Sequence, residues 1–211
     1  MKNALKIKVC GLKEDENIKD IDDLGVDYIG MIFYEKSPRF AGNSNFNLSD
    51  IRATKVGVFV NATIDYIKTI QEEYNIEVAQ LHGDEDPEFT QQVKDLGLTV
   101  WKVFGIDNSF DFRILANYQG VDLFLFDTKS PLHGGTGVKF DWNKLKDLGD
   151  QYKFMLSGGI GKEDAAAINE LSLNGLTGID LNSKFEISPG NKNIKMLKEF
   201  IEQINQQEQK Q

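Results

Sequence analysis

Eight short runs of apolar and β-branched residues, separated by longer amphipathic stretches, constrain this chain more than any other feature. The runs occupy residues 5–10, 28–33, 55–60, 78–82, 99–104, 123–127, 153–157 and 177–181. Runs of this length and composition read as strands buried on both faces. The stretches at 17–24, 64–74, 87–96, 110–118, 142–148, 164–171 and 194–204 place apolar residues three and four apart, the spacing of a helix that buries one side. After the second run only a short turn near 48–52 reads as helical. Strand–helix alternation implies parallel strands with helices packed outside them. An open doubly wound sheet usually has five or six strands and often a Gly-rich loop after the first. Here the first run leads into Cys10-Gly11-Leu12-Lys13, without GxGxxG. The expected fold is therefore α/β, a (β/α)8 TIM barrel forming one domain over residues 1–205, with a wholly polar tail at 206–211.

The chain has 211 residues, which suits eight units of roughly 25 residues without large insertions. Its 40% hydrophobic content, including 14 Phe, can fill a core of that size. The formal net charge of −9, without any basic cluster, argues against a nucleic-acid partner. An anionic small molecule must then be held by a local concentration of donors. Cys10 is the only cysteine, which rules out an intramolecular disulfide and a zinc site built on several thiolates. Residues 1–5 lack the apolar segment of a secretory signal, and no run approaches the ~20 apolar residues of a membrane span. A cytoplasmic protein without a membrane partner is expected.

In such a barrel, chemistry is carried by the C-terminal ends of the strands and the loops that follow. Cys10 ends the first strand, with Lys8 two positions earlier on the same face. A neighbouring ammonium favours the thiolate, which would make Cys10 a base or nucleophile; the other reading is a small buried hydrophobe. Asp127 follows Phe124-Leu125-Phe126 at the end of strand six. Partial desolvation there favours the protonated form of a general acid, and the alternative is a cap for the next turn. His82 closes strand four, with Gln80 facing inward two positions earlier. Either can hydrogen-bond a substrate or serve as a satisfied structural group.

The loops supply further candidates. His133-Gly134-Gly135-Thr136-Gly137 is the kind of Gly-rich stretch that closes over a ligand, or simply a solvated turn. Gly158 and Gly159, at the junction of strand seven with its helix, allow backbone N–H groups to approach a phosphate. Strand eight contributes Asp180, Asn182 and Ser183. Together these two loops match the place where many barrels hold a phosphate. Arg39, after Ser37-Pro38, offers a guanidinium for a bidentate carboxylate contact, or is a surface arginine. With only two histidines, and His133 in a loop without acidic neighbours at ligand spacing, neither a metal nor a cofactor is expected.

Taken in order, these pieces resemble the phosphoribosylanthranilate isomerase family of tryptophan biosynthesis. The resemblance rests on Lys8-Val9-Cys10-Gly11, Gly30-Met31-Ile32-Phe33 with Ser37-Pro38-Arg39, Val56-Gly57-Val58-Phe59-Val60-Asn61 and Gln80-Leu81-His82-Gly83. It continues through Phe126-Asp127-Thr128 with Gly134-Gly135-Thr136-Gly137 and Phe140-Asp141-Trp142, then Leu156-Ser157-Gly158-Gly159, and Gly178-Ile179-Asp180-Leu181-Asn182-Ser183 with Pro189-Gly190. The set runs from strand one to strand eight. It implies a cofactor-free Amadori rearrangement of a phosphorylated small molecule, N-(5-phosphoribosyl)anthranilate. By resemblance, Asp127 is the general acid, Cys10 the general base and Arg39 the partner of the anthranilate carboxylate. Gly158, Gly159, Asn182 and Ser183 would hold the phosphate.

Two positions depart from the family pattern. Lys184 follows Ser183 where a small residue is frequent, and Gly161 stands where a polar residue is frequent. Competing readings are another phosphate-binding barrel isomerase and a non-catalytic sensor of a phosphorylated ligand. Barrels acting on a histidine-pathway intermediate use two aspartates, and a pentose-phosphate epimerase needs His and Asp metal ligands. Cys10 and the ligand-poor sequence fit neither. A monomer and a homodimer both accord with the sequence.

Overall fold

Eight parallel strands close into a barrel in the computed structural model, which describes residues 4–44, 46–128 and 140–205. The strands are β1 Lys6–Cys10, β2 Tyr28–Ile32, β3 Thr54–Phe59, β4 Val78–Leu81, β5 Thr99–Ile106, β6 Leu123–Thr128, β7 Phe154–Leu156 and β8 Leu176–Leu181. The ring closes where β1 pairs with β8, setting Lys8 opposite Asp180 and Val9 opposite Leu181. Val56, Val78, Trp101, Val103, Leu123, Leu125 and Met155 fill the interior. Tyr28 meets Trp101 edge-on there, with ring centroids 4.8 Å apart. The alternate residues, among them Ile7, Val9, Ile29, Phe124 and Phe126, belong to the larger core between strands and helices. Burial on both faces is what made each strand legible as a nearly unbroken apolar run.

The α-helices are α1 Asp15–Asp23, α2 Ile64–Tyr74, α3 Pro87–Asp95, α4 Ala165–Glu170 and α5 Ile194–Asn205. Two segments expected as helices are 3-10 turns instead, Phe112–Asn117 and Trp142–Leu148. Their caps explain the difference. Thr63 and Asp86, before α2 and α3, accept from the N–H three residues on, as an α-helical cap does. Asp111 and Asp141 accept from the N–H two residues on, which starts a tighter turn. The helical turn expected at 48–52 is reduced to one bond, Ile51 N–H to the Leu48 carbonyl at 3.3 Å. Asp22 of α1 captures the backbone just beyond it, accepting from Arg52 N at 3.1 Å and Ala53 N at 2.8 Å.

After β8 comes an antiparallel hairpin absent from the sequence reading, β9 Glu186–Ser188 with β10 Asn191–Lys192. Asn17 of α1 fastens it, accepting from Lys192 N at 2.8 Å and donating to the Lys192 carbonyl at 3.1 Å. No helix among the described residues is long and apolar enough to cross a membrane.

Lys102 lies between two interior-facing residues of β5 and is almost wholly buried. Its Nζ donates to the Gly83 carbonyl at 2.7 Å and to Glu85 Oε2 at 3.0 Å. Glu85 also accepts from the N–H groups of Asn61 at 2.8 Å and Gly83 at 2.9 Å. This network pins the loop that begins at His82. Removing one member of a buried pair leaves the other charge desolvated and alone. Lys102→Met should therefore cost about 3–5 kcal/mol in urea unfolding. Adding Glu85→Gln should restore much of that loss; a single-variant cost below about 1 kcal/mol would show the pair to be solvent-screened.

Candidate active site

The first cluster grows from the seam between β1 and β8. Lys8 is fully buried and its Nζ lies 2.9 Å from Asp180 Oδ1. Ser157, after β7, donates to Asp180 Oδ2 at 3.4 Å. Cys10 is paired in register with Gly30 of β2. A Cβ placed on Gly30 would lie 2.9 Å from Cys10 Sγ and 3.0 Å from Lys8 Nζ, so thiol and ammonium stand side by side over that glycine. Burial opposes the Lys8 charge, but the adjoining Asp180 carboxylate favours it, and the ammonium is held above its usual range.

The thiol responds differently from the sequence-based expectation. Lys8 does favour the thiolate, yet burial acts more strongly and Asp180 adds to it, so the Cys10 thiol is pushed up. A buried sulfur is thus held as the thiol at rest.

Asp127, at the mouth end of β6, faces two elements. Its Oδ2 lies 3.5 Å from Nε2 of His82, which follows β4, and the other ring nitrogen of His82 is 3.5 Å from Gln80 Nε2. Gly158 packs against its other side. A Cβ there would come within 2.2 Å of Asp127 Oδ1 and 2.4 Å of Thr128 N, and the backbone adopts φ +85°. Both sterics and conformation therefore require glycine. Asp127 and His82 remain partly open, with 24% and 37% of their side chains exposed. The structure brings together the expected acid, the strand-four histidine and the first of the two glycines.

Arg39 is engaged in a manner the sequence did not show. Its Nε and Nη2 donate to the two oxygens of Glu186 in β9 at 2.8 and 2.6 Å. Lys192 Nζ donates to Glu186 Oε1 and to Asn182 Oδ1, each at 2.7 Å. Burial disfavours the Glu186 charge, but these donors and the Gly190 N–H outweigh it and hold the carboxyl at about 2. That pairing is complete above the ordinary carboxylate range and is lost only as pH falls through about 2. Arg39 Cδ and Asn182 Oδ1 would each lie 2.7 Å from a Cβ on Gly11, which is why a glycine follows Cys10. The arginine is thus no loose surface residue.

Asn182 precedes the 3-10 turn Ser183–Phe185, in which Ser183 and Lys184 are exposed. Gly159 also adopts a positive φ, +74°, consistent with the tight turn expected there. Gly161, the other departure, donates its N–H to Asp164 Oδ2 at 2.7 Å at the start of the turn leading to α4. Gly135 and the loop around it, like His133 and the tail at 206–211, lie outside the described residues. Among the described residues, no three His, Cys, Asp or Glu side chains converge as metal ligands.

The sequence reading missed Glu186, Lys192, Lys102 and Glu85. Lys102 carried a signal, since a charge inside an apolar strand must find a partner. Glu186 and Lys192 carried none, because their roles depend on the fold around them.

The profile of the N-(5'-phosphoribosyl)anthranilate isomerase family matches residues 7–203. The chain belongs to this family. It is 43% identical over 204 residues to an isomerase of that name from Parabacteroides distasonis, covering 94% of this chain and 92% of the relative. It is similar to the phosphoribosyl anthranilate isomerase of Thermotoga maritima, with a TM-score of 0.82, 27% identity and coverage of 96% and 99%. A further family structure, solved in complex with reduced 1-(o-carboxyphenylamino)-1-deoxyribulose 5-phosphate, gives a TM-score of 0.78 at 25% identity, with coverage of 96% and 99%. The eightfold barrel and its family resemblance therefore agree with each other.

Proposed function

We propose that this member of the family isomerises N-(5'-phosphoribosyl)anthranilate to 1-(o-carboxyphenylamino)-1-deoxyribulose 5-phosphate in tryptophan biosynthesis. The observation that carries this reading is the family match across nearly the whole chain, with Cys10 and Asp127 at the C-terminal ends of two different strands of one barrel, Asp127 one residue before the last of β6. Asp127 would protonate the ribose ring oxygen. The bond from that oxygen to C1 then breaks and the aniline nitrogen forms a protonated Schiff base. Cys10, as thiolate, would take the proton from C2, whose electrons move into a C1–C2 double bond and neutralise the nitrogen. The resulting enolamine tautomerises to the ketone. One acid and one base on different strands suit a sugar held between them.

Arg39 is the proposed carboxylate partner, and Gly158, Gly159, Asn182 and Ser183 the phosphate loops, with Gly135 and Asp180 as further substrate contacts. The phosphate is remote from the reacting carbons, so its binding can orient the sugar for reaction. His82 beside Asp127 is the proposed hydrogen-bond partner that steadies the acid. A monomer or a homodimer is compatible with this chemistry, since every proposed residue comes from one chain.

The test is direct. Purified protein should extinguish phosphoribosylanthranilate fluorescence at a rate proportional to its concentration; no acceleration over the spontaneous decay would remove the proposal. Arg39→Ala should raise KM by roughly 10–100-fold, as expected when a charge-assisted contact is lost. An unchanged KM would move the carboxylate site elsewhere.

A further inference from the structure

A guanidinium has two edges that can each grip a carboxylate, one formed by Nε with Nη2 and one by Nη1 with Nη2. In Arg39 the first edge is filled by the two oxygens of Glu186. Nη1, which with the remaining hydrogen of Nη2 forms the second, makes no hydrogen bond among the described residues, and one-fifth of the side chain is exposed. We propose that Glu186 is the positioning residue for Arg39, holding its inner edge so that the outer edge faces the carboxylate of the ligand. The inference rests on the proposed role of Arg39 and adds the group that aims it.

Three observations support the assignment. Glu186 is itself fixed, because Lys192 Nζ and the Gly190 N–H donate to its Oε1 at 2.7 and 3.1 Å. Lys192 is buried and anchored through its backbone to Asn17, so the hairpin cannot easily shift. At the other end of the arginine, Arg39 N donates to Ser37 Oγ at 3.1 Å, and the loop is tied to β2 by Ala41 N–H to the Ile32 carbonyl at 2.9 Å. Both ends of a long side chain are thus fixed before any ligand arrives, which removes much of the ordering cost of a specific contact.

Glu186 acts by geometry and not by adding positive potential: it cancels one of the two charges of Arg39 and Lys192 and leaves one for an anion. Lys192 also grips Asn182, and Asn182 and the Arg39 stem both crowd the Gly11 backbone. The carboxylate arm and the loop after β8 are therefore built on a common support. Glu186 does not compete with the ligand in this arrangement, because it occupies a different edge.

The experiment measures calorimetric affinity for reduced 1-(o-carboxyphenylamino)-1-deoxyribulose 5-phosphate and for the same compound lacking the carboxylate. The unaltered protein should prefer the carboxylated compound by roughly 10–100-fold, and Arg39→Ala should erase that preference. Glu186→Gln should reduce it to within about threefold, whatever common loss both compounds suffer through the Lys192–Asn182 support. A purely structural defect would weaken both ligands alike and leave the preference intact, and that result would overturn the inference. Arg39→Lys covers the case in which Glu186→Gln fails to fold, since it keeps the ion pair but has no second edge. It should lose the preference too, and full retention there would overturn the inference. If the unaltered protein shows no preference at all, the carboxylate reading of Arg39 fails first and takes the inference with it. If Arg39→Ala erases the preference and Glu186→Gln keeps it, only the positioning role is lost.

Discussion

Asp127→Asn is expected to lower kcat by about 10²–10⁴-fold, the usual contribution of a positioned general acid. The substitution is chosen because it changes little else. Asparagine keeps the planar shape that fits over Gly158, where even one added carbon on the glycine would collide with the carboxylate. Its side-chain amide can still sit beside His82 Nε2, which lies 3.5 Å from Asp127 Oδ2 in the present structure. What it cannot do is hand a proton to the ribose ring oxygen. Ring opening would then depend on water, and affinity for the reduced product analogue should stay within about threefold of the unaltered protein. Single-turnover fluorescence checks the first expectation and calorimetry the second. Near-normal turnover would remove Asp127 as the acid.

The barrel was legible because its strands are buried on both faces, so the apolar runs appear without any knowledge of tertiary contacts. The runs ending at Cys10 and Asp127 also told which residues stand at the mouth. Helix type was less legible. The segment around Trp142 has helical spacing, yet the reach of the Asp141 side chain to the second N–H rather than the third determines the turn that forms. Arg39 was recognised as a candidate carboxylate ligand, but its partner was not. Glu186 is 147 residues away, on a hairpin of only a few residues around Pro189-Gly190, and no periodicity links them. The ionisation of the thiol was only half legible for a related reason. Lys8 beside Cys10 can be read from alternation along β1, whereas the burial that outweighs it and the Asp180 that occupies Lys8 come from the closure of the barrel.

That burial shapes the second large effect, the loss expected in Cys10→Ser. Because the folded-state thiol is raised above its ordinary value, only a small fraction is thiolate at neutral pH. The fraction grows about tenfold per pH unit until the raised value is reached, so the base-dependent limb of kcat/KM should climb through and beyond ~8.5, the usual thiol value. The thiolate that does form is a stronger base for having been desolvated. A serine hydroxyl ionises far less readily, and turnover should fall by at least about 10²-fold with the alkaline limb removed. Stability supplies an independent check. A thiol raised on folding favours the folded state fully below the unfolded value, and that contribution is lost as pH rises through the folded one. The Tm of the unaltered protein should therefore drop more steeply above pH ~8.5 than that of Cys10→Ser. If the stability difference appears but turnover is unchanged, Cys10 is a packed thiol whose ionisation plays no part in the chemistry. If both change together, the sulfur beside Lys8 is the base.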